Sequence, residues 1–150
     1  PKQEPVDVAV ALRKSADLHN DPATGVIETK IEADTAIVMA DESLLVRTFN
    51  NLLLNAIQAV PANRKPYIRI TLEKDAENKV LIAIKDNGSG IPKDIRGKVF
   101  IPNFSTKYTG SGIGLAVAKR GIENAGGQIW FETEEGKGTT FYISLPLASA

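Results

Sequence analysis

The feature that most constrains the fold is a short apolar run, Val80 to Ile84, which has no polar residue on either face. Successive side chains of a strand point to opposite faces, so this pattern is typical of a central strand covered by helices. A second strand is predicted from Tyr67, Ile68, Ile70 and Leu72, and the charged segment Lys74 to Lys79 between the two predicts a hairpin. The chain is therefore expected to build a sheet around these two strands.

Helical periodicity flanks this hairpin on both sides. Before it, apolar residues from Leu45 to Val60 recur on one face of a long predicted helix that Pro61 ends. After it, a second helix is predicted from about Ile113 to Asn124, with two glycines as its C-cap. The remaining predicted elements are a first helix capped by Asp7, strands at residues 26–31, 36–39, 128–133 and 139–145, and a short helical segment at residues 93–100. We therefore predict an α/β fold, a two-layer sandwich of a mixed, mostly antiparallel sheet packed on about three helices.

Composition excludes several classes of function. The 150 residues fit one domain, and the 18 Lys and Arg residues balance the 18 Asp and Glu residues, so no net field favours nucleic acid or an anionic membrane. Without cysteine, thiolate zinc sites and cysteine nucleophiles are excluded. No apolar run approaches the ~20 residues of a membrane span. The chain begins at Pro1 without a methionine, so we expect an excerpt from a longer protein. We expect this part to be cytoplasmic, whether or not the parent protein is anchored in a membrane.

Two asparagines on the long helix are the first candidate site residues. Asn51 and Asn55 are four residues apart, so both amides project from one helix face. Asparagine costs a helix interior about 0.5 kcal/mol relative to alanine, and an amide oxygen suits Mg²⁺, which takes other ligands from water and phosphates. Taken alone, the pair is better explained as solvated surface residues.

A carboxylate and two glycines follow the central strand. Asp86 ends that strand, and Gly88 and Gly90 come directly after it. A carboxylate at the edge of a sheet can accept a hydrogen bond from the amine of adenine, and glycines let the backbone approach a base closely. Taken alone, an aspartate that caps its own turn is the simpler explanation.

A glycine-rich segment, Gly110 to Gly114, precedes the last predicted helix, and Lys107 lies just before it. Backbone amides of such a loop, with a helix N-terminus behind them, form an anion site for phosphates. A flexible linker with one solvated lysine explains the same residues. The spacing is not that of the dinucleotide fingerprint, and the segment Gly136 to Thr139 lacks the upstream glycine of a Walker A loop.

The order and spacing of these motifs resemble the N, G1, F and G2 boxes of the ATP-binding catalytic domain of sensor histidine kinases. This domain belongs to the Bergerat-fold superfamily, with gyrase B, mismatch-repair ATPases and a heat-shock chaperone. The resemblance covers nearly the whole chain and implies ATP and Mg²⁺ as cofactors. It implies Asn55 and Asn51 as magnesium ligands, Asp86 as the adenine-binding residue, Gly88, Gly90 and Ile91 as walls of the adenine pocket, Phe100 and Phe104 as the F box, and Lys107, Gly110, Gly112, Gly114 and Leu115 as the phosphate-binding segment. Asn51, Asn55 and Lys107 are the residues implied in catalysis.

The resemblance also implies partners and shows two departures. It implies phosphoryl transfer to a histidine on a dimerisation domain upstream of Pro1, a response regulator as partner, and a homodimeric parent. The short lid around Lys107 is similar to that of nitrogen-regulation kinases. Many relatives have a basic residue at the position of Gln58, and His19, the one histidine, lacks the acidic neighbour of a phosphoacceptor.

Other functions remain open at this point. An ATP hydrolase of the gyrase or mismatch-repair kind carries a glutamate where Asn51 stands, and an amide is a poor general base. Asn51 therefore favours transfer to histidine over hydrolysis. A nucleotide-sensing or partner-docking module, or a related serine kinase acting on a protein, is also compatible with the motifs.

Overall fold

The structure of the protein is a computed structural model that describes residues 2–23, 25–101 and 112–148. Its elements in chain order are β1 (Glu4–Asp7), α1 (Val8–His19), β2 (Val26–Ile31), β3 (Ile37–Ala40), α2 (Glu42–Gln58), β4 (Tyr67–Lys74), β5 (Lys79–Lys85), a 3-10 helix (Lys93–Lys98), α3 (Gly112–Asn124), β6 (Gln128–Glu134) and β7 (Gly138–Pro146). Each helix and strand predicted from the sequence is present. β1 was not predicted.

Two aspartates determine where the first two helices begin. The Oδ1 atom of Asp7 accepts a hydrogen bond from the backbone N–H of Ala9 at 3.0 Å, and Oδ1 of Asp41 accepts from that of Leu44 at 3.1 Å. A side chain that satisfies a free amide of the first turn stabilises a helix by about 1 kcal/mol. These caps place α1 and α2 at the positions that the apolar periodicity predicts.

The main sheet has five strands in the order β2-β4-β5-β7-β6. β2 pairs with β4 in parallel, and the other three pairings are antiparallel. The predicted mixed, mostly antiparallel sheet is therefore confirmed. β3 does not join it, because β3 pairs with β1 in a separate two-stranded antiparallel sheet.

The core lies on one face of the main sheet, between the sheet and the helices. Alternate residues of the central strands are fully buried, and the register places Ile70 of β4, Ile84 of β5 and Phe141 of β7 side by side. Phe49 of α2 and Leu115 of α3 are buried from the helix side. This is the predicted two-layer sandwich. Within the described ranges, no helix has the length and hydropathy of a membrane-spanning segment.

The expectation that β5 is covered on both faces is wrong. Leu81 and Ala83 are only partly buried, because the helices occupy the opposite face. An antiparallel sheet needs only one covered face, and cross-strand neighbours partly shield apolar residues on the other. Tyr142 pairs with Ala83 and stacks on Trp130 of β6, with ring centroids 5.6 Å apart.

Candidate functional site

The segment Asp86 to Gly90, termed here the Asp86–Gly90 turn, contacts the C-terminal end of α2. The Ser89 N–H donates to the carbonyl oxygen of Ala59 at 3.0 Å, and the Ala59 N–H donates in turn to the carbonyl oxygen of Asn55. A Cβ atom at Gly88 would lie 2.6 Å from the Ala59 oxygen, so the contact requires glycine there. The turn that carries Asp86 therefore lies directly against the helix that carries Asn51 and Asn55.

The same turn also contacts the connection between β6 and β7. The Gly136 N–H donates to the carbonyl oxygen of Ser89 at 2.7 Å. Gly90 has a positive φ of 77°, and a Cβ atom there would collide with the carbonyl of Glu134. Gly88 and Gly90 are thus required by backbone contacts within the protein, which the sequence analysis did not anticipate. Their role as walls of an adenine pocket stays a prediction.

Asp86 is buried, with 3% of its surface exposed. Its Oδ1 atom accepts hydrogen bonds from the backbone N–H groups of Gly88 at 2.9 Å and Thr139 at 3.0 Å. Its Oδ2 atom is also buried, yet has no hydrogen-bond partner in the part of the chain that the structure describes. Burial raises the pKa of Asp86 to about 6, although the two N–H bonds act to lower it. Turn capping therefore accounts for one carboxylate oxygen and leaves the other available to a ligand.

Asn55 is buried as well, with 7% of its surface exposed, whereas Asn51 one turn earlier is partly buried. The interpretation of Asn55 as a solvated surface residue is therefore wrong. Its Oδ1 atom is buried without a hydrogen-bond partner. Among the described residues, Oδ1 of Asn55 and Oδ2 of Asp86 are the two buried side-chain polar atoms in this state. A buried polar atom without a partner costs about 1–3 kcal/mol, which is a reason to look for a ligand at both.

Three further predicted site residues belong to the core. Ile91 and Leu115 are 2% and 1% exposed, so their side chains contribute to packing. The Phe100 ring lies 6.0 Å from that of Phe131 and 6.2 Å from that of Phe141. These contacts explain an apolar side chain at each position, and a contact of any of them with a nucleotide stays a prediction.

The predicted phosphate-binding segment is only partly within the described residues. Phe104, Lys107 and Gly110 lie outside them, as does most of the predicted lid. The backbone of Gly112 and Gly114 forms the first turn of α3, which begins one residue before its predicted start. The N-terminus of α3 therefore lies within the segment Gly110 to Gly114, and the prediction that all three glycines precede the helix is wrong for Gly112 and Gly114.

Sequence analysis missed the contribution of Gly138 and Thr139. Thr139 donates its backbone N–H to Asp86, and its hydroxyl oxygen lies 2.8 Å from that of Thr133. A Cβ atom at Gly138, where φ is 136°, would collide with the backbone of Asp86. The sequence predicts a turn at Gly136 to Gly138 and a strand from Thr139, with no contact of either to Asp86. A signal was present, since a second glycine directly after the turn indicates close backbone approach.

Three cavities bear on the location of the site. One of about 300 Å³ is lined by Asp86 together with Gly138 and Thr139. A second, of about 380 Å³, lies on the other side of the Asp86–Gly90 turn and is lined by Gln58, Ala59, Pro61, Ser89, Pro92, Glu135 and Gly136. The larger cavity, of about 690 Å³, lies between α1 and α2 and contains neither Asp86 nor any residue of this turn. We place the site at the turn and not in the larger cavity, because the unpartnered oxygens are at Asp86 and Asn55.

Comparison with known proteins shows which family the chain resembles. The sequence profile of the histidine kinase-, DNA gyrase B- and HSP90-like ATPases matches residues 40–149. The signal transduction histidine-protein kinase AtoS of Escherichia coli (strain K12) is 36% identical over 119 residues, which are 79% of this chain and 19% of that protein. The chain thus spans about a fifth of the length of that relative.

Solved structures with a similar fold are also those of histidine kinases. The mycobacterial sensor histidine kinase MprB superposes with a TM-score of 0.82 at 28% identity, covering 99% of both chains. The catalytic domain of histidine kinase ThkA, in a nucleotide-free form, superposes with a TM-score of 0.82 at 29% identity, covering 97% of this chain and 96% of that one. The resemblance to the ATP-binding domains of sensor histidine kinases is therefore confirmed. The chain belongs to the family of histidine kinase-, DNA gyrase B- and HSP90-like ATPases.

Proposed function

We propose that this chain binds Mg·ATP and transfers the γ-phosphoryl group to a histidine on a separate dimerisation domain of a longer sensor kinase. The observation that carries the proposal is the pair of unpartnered buried oxygens, Oδ2 of Asp86 and Oδ1 of Asn55. Their two parent segments are joined by the hydrogen bond from Ser89 to Ala59. They are of two different kinds, a carboxylate and a neutral amide, and each fits a different part of one ligand.

Asp86 is proposed to recognise adenine. Its Oδ1 atom is occupied by two backbone N–H groups, so the carboxylate is held in one orientation with Oδ2 left to accept from the adenine amine. Guanine presents a carbonyl oxygen at that position, which a carboxylate repels. The residue therefore supplies both affinity and selectivity for ATP over GTP.

Asn55 is proposed to hold magnesium, with Asn51 beside it. The unpartnered amide oxygen of Asn55 is a hard, neutral donor of the kind that Mg²⁺ accepts alongside phosphate oxygens and water. When bound, the ion would neutralise charge on the phosphates. Lys107 and the backbone amides near Gly112 are proposed to complete the phosphate site, with the N-terminus of α3 adding its positive dipole end.

The proposed reaction forms a bond between phosphorus and an imidazole nitrogen and breaks the bond from the γ-phosphorus to its bridging oxygen. ADP leaves with that oxygen, and the imidazole proton passes to solvent. Chemistry of this type depends mainly on positioning and charge stabilisation. Hydrolysis would need a base to orient water, and the neutral amide of Asn51 cannot serve as one.

The proposed partners of this chain are based on its relatives, which include sensor and signal-transduction histidine kinases. The match with this chain covers 19% of AtoS. We propose that the acceptor histidine of the parent kinase lies outside the segment that this chain represents. A response regulator would then take the phosphoryl group from that histidine. We further propose that the parent is a homodimer joined through the acceptor domain.

Transfer can be tested with radiolabelled ATP, this chain and a purified acceptor domain of the parent kinase. Label should appear on the acceptor, be lost in acid and persist in alkali, as expected of a phosphorus–nitrogen bond. Asn55→Ala should abolish labelling, while Asn50→Ala on the same helix, whose amide oxygen contacts His19 at 3.3 Å, should not. Full labelling by the Asn55 variant would remove the metal role, and no labelling by the unaltered chain that binds ATP would leave only a nucleotide-binding module.

A further inference from the structure

Arg64 lies in the connection between α2 and β4. It joins the Asp86–Gly90 turn to the turn between β6 and β7, which precedes the residue Thr139 that contacts Asp86. Its Nη2 atom donates to the carbonyl oxygen of Gly88 at 3.1 Å, and its Nη1 atom donates to that of Gly136 at 3.3 Å. The Arg64 backbone is itself held, because its N–H donates to the carbonyl oxygen of Pro61 at 3.0 Å. One guanidinium thus spans the Asp86–Gly90 turn and the β6–β7 turn.

The two turns matter because each supplies one of the N–H groups that orient the Asp86 carboxylate. Gly88 donates from the first turn at 2.9 Å, and Thr139 donates from the strand that begins at the second turn at 3.0 Å. If the two turns moved apart, both donors could not reach the same oxygen. Besides Arg64, two backbone hydrogen bonds join these segments, from Gly136 N–H to the Ser89 carbonyl oxygen at 2.7 Å and from Asp86 N–H to the Thr139 carbonyl oxygen at 2.9 Å. Arg64 is the side chain that adds to them on the outer side of the two turns.

We propose that Arg64 is a positioning residue for adenine recognition, which holds these two turns together and so keeps the free oxygen of Asp86 aimed at the base. The inference rests on the proposed function of the site. Arg64 acts through Asp86 and the two turns, and the sequence motifs gave no reason to select it.

The shape of the arginine side chain suits this role. A guanidinium presents several N–H donors in a rigid plane, so it can bond two carbonyl oxygens in one fixed geometry. A lysine in the same place has a flexible point charge that can reach one of the two carbonyls. Arg64→Lys should therefore retain part of the function that Arg64→Ala loses.

Calorimetric titration of this chain with ATP and with GTP tests the proposal, because selectivity separates positioning from general damage. Arg64→Ala should weaken ATP binding by about fivefold to tenfold and leave GTP binding unchanged. This is less than the loss of a direct charged hydrogen bond to ATP would cause, because Arg64 is exposed and acts on the base only through Asp86. The ratio of ATP to GTP affinity should therefore fall by the same factor. Arg64→Lys should give an intermediate ratio.

Arg13→Ala is the matched control. Arg13 also donates to a backbone carbonyl, that of Ala33 at 3.3 Å, and it is exposed on α1, a helix that carries none of the predicted site residues. The Arg13→Ala variant should bind ATP and GTP with unchanged affinities. Its melting temperature should fall by about as much as that of Arg64→Ala. If Arg64→Ala does not fold, the Arg64→Lys ratio decides the matter.

The outcomes separate the inference from the function on which it rests. If the unaltered chain prefers ATP and the Arg64 variants keep the same preference, the positioning role is overturned and the proposed function stands. Equal weakening of ATP and GTP would assign Arg64 to stability alone and also overturn the positioning role. If the unaltered chain binds no ATP, the proposed function and this inference fall together.

Discussion

Asp86 is an unusual residue because its buried carboxylate has two N–H donors on one oxygen and, among the described residues, no partner on the other. Its pKa is raised from 3.8 to about 6, mainly because burial disfavours the charged carboxylate. A carboxyl group whose pKa is raised by folding favours the folded state only while it is protonated. The stabilisation of the folded state by protonated Asp86 is therefore at its full value below about pH 4 and is lost as the pH rises through about 6.

Asp86→Asn should stabilise the free protein at neutral pH. The amide keeps an oxygen for Gly88 and Thr139 but carries no charge, so the free energy of unfolding at pH 7.5 should rise by about 2 kcal/mol. The difference from the unaltered chain should shrink as pH falls to about 4. Urea unfolding between pH 4 and pH 8 measures both effects.

Asp75→Asn is the control for that experiment. Asp75 also accepts from two backbone N–H groups, those of Glu77 at 2.9 Å and Lys79 at 3.0 Å, but lies exposed in the β4–β5 turn. It should show no stabilisation at pH 7.5. A lower unfolding free energy for Asp86→Asn at neutral pH would show that burial of the charge does not destabilise the fold.

The same substitution should impair ATP binding. Asp86→Asn removes a charge-assisted hydrogen bond to the adenine amine, which is worth about 1.5–3 kcal/mol, or roughly tenfold to a hundredfold in affinity. Calorimetry at pH 7.5 should show this loss for ATP, and much weaker binding of GTP to the unaltered chain. Equal affinities for ATP and GTP in the unaltered chain would sink the assignment of Asp86 to adenine.

At the scale of elements, the contact between the end of α2 and the Asp86–Gly90 turn brings two motifs together. Gly88→Ala should disrupt it, because the new Cβ atom would lie 2.6 Å from the Ala59 oxygen and 2.9 Å from its carbonyl carbon. Backbone atoms cannot rotate away as a side chain can, so we expect a loss of about 2 kcal/mol in unfolding free energy together with weaker ATP binding.

Gly97→Ala in the 3-10 helix gives the matched comparison. A Cβ atom at Gly97 would meet nothing within 4 Å, so this change should be neutral or slightly stabilising. Urea unfolding of both variants, followed by ATP titration, measures the contrast. Equal stability of the two variants would mean that the turn and the helix end can separate freely.

At the scale of the whole molecule, this chain should bind ATP without labelling itself. His19 ends α1 and lines a small cavity with Ile57 and Pro66, among residues that include none of the predicted nucleotide ligands. Incubation with γ-labelled ATP should give neither protein-bound label nor rapid phosphate release. Label on His19, or brisk hydrolysis without an acceptor, would indicate a self-sufficient enzyme.

Much of the fold was determined by the sequence alone, because the information is local. The Asp7 cap, the apolar periodicity of α2 and the charged turn between β4 and β5 each act over a few residues, and each predicted the element that the structure contains. The cap by Asp41 was not predicted. Helix spacing and a strand end made Asn55 and Asp86 noticeable in the sequence, but their candidate roles as ligands came from the four motifs taken together and from the family resemblance.

Only the tertiary structure decided the features that depend on residues far apart in the chain. The pairing of β1 with β3, the open face of β5, the approach of Thr139 to Asp86 and the link through Arg64 join segments that no local pattern connects. The same holds for the two unpartnered oxygens, because whether a buried polar atom lacks a partner depends on every segment packed around it. Sequence thus selected the candidate residues of the site, and long-range packing decided which of their buried atoms have no partner among the described residues.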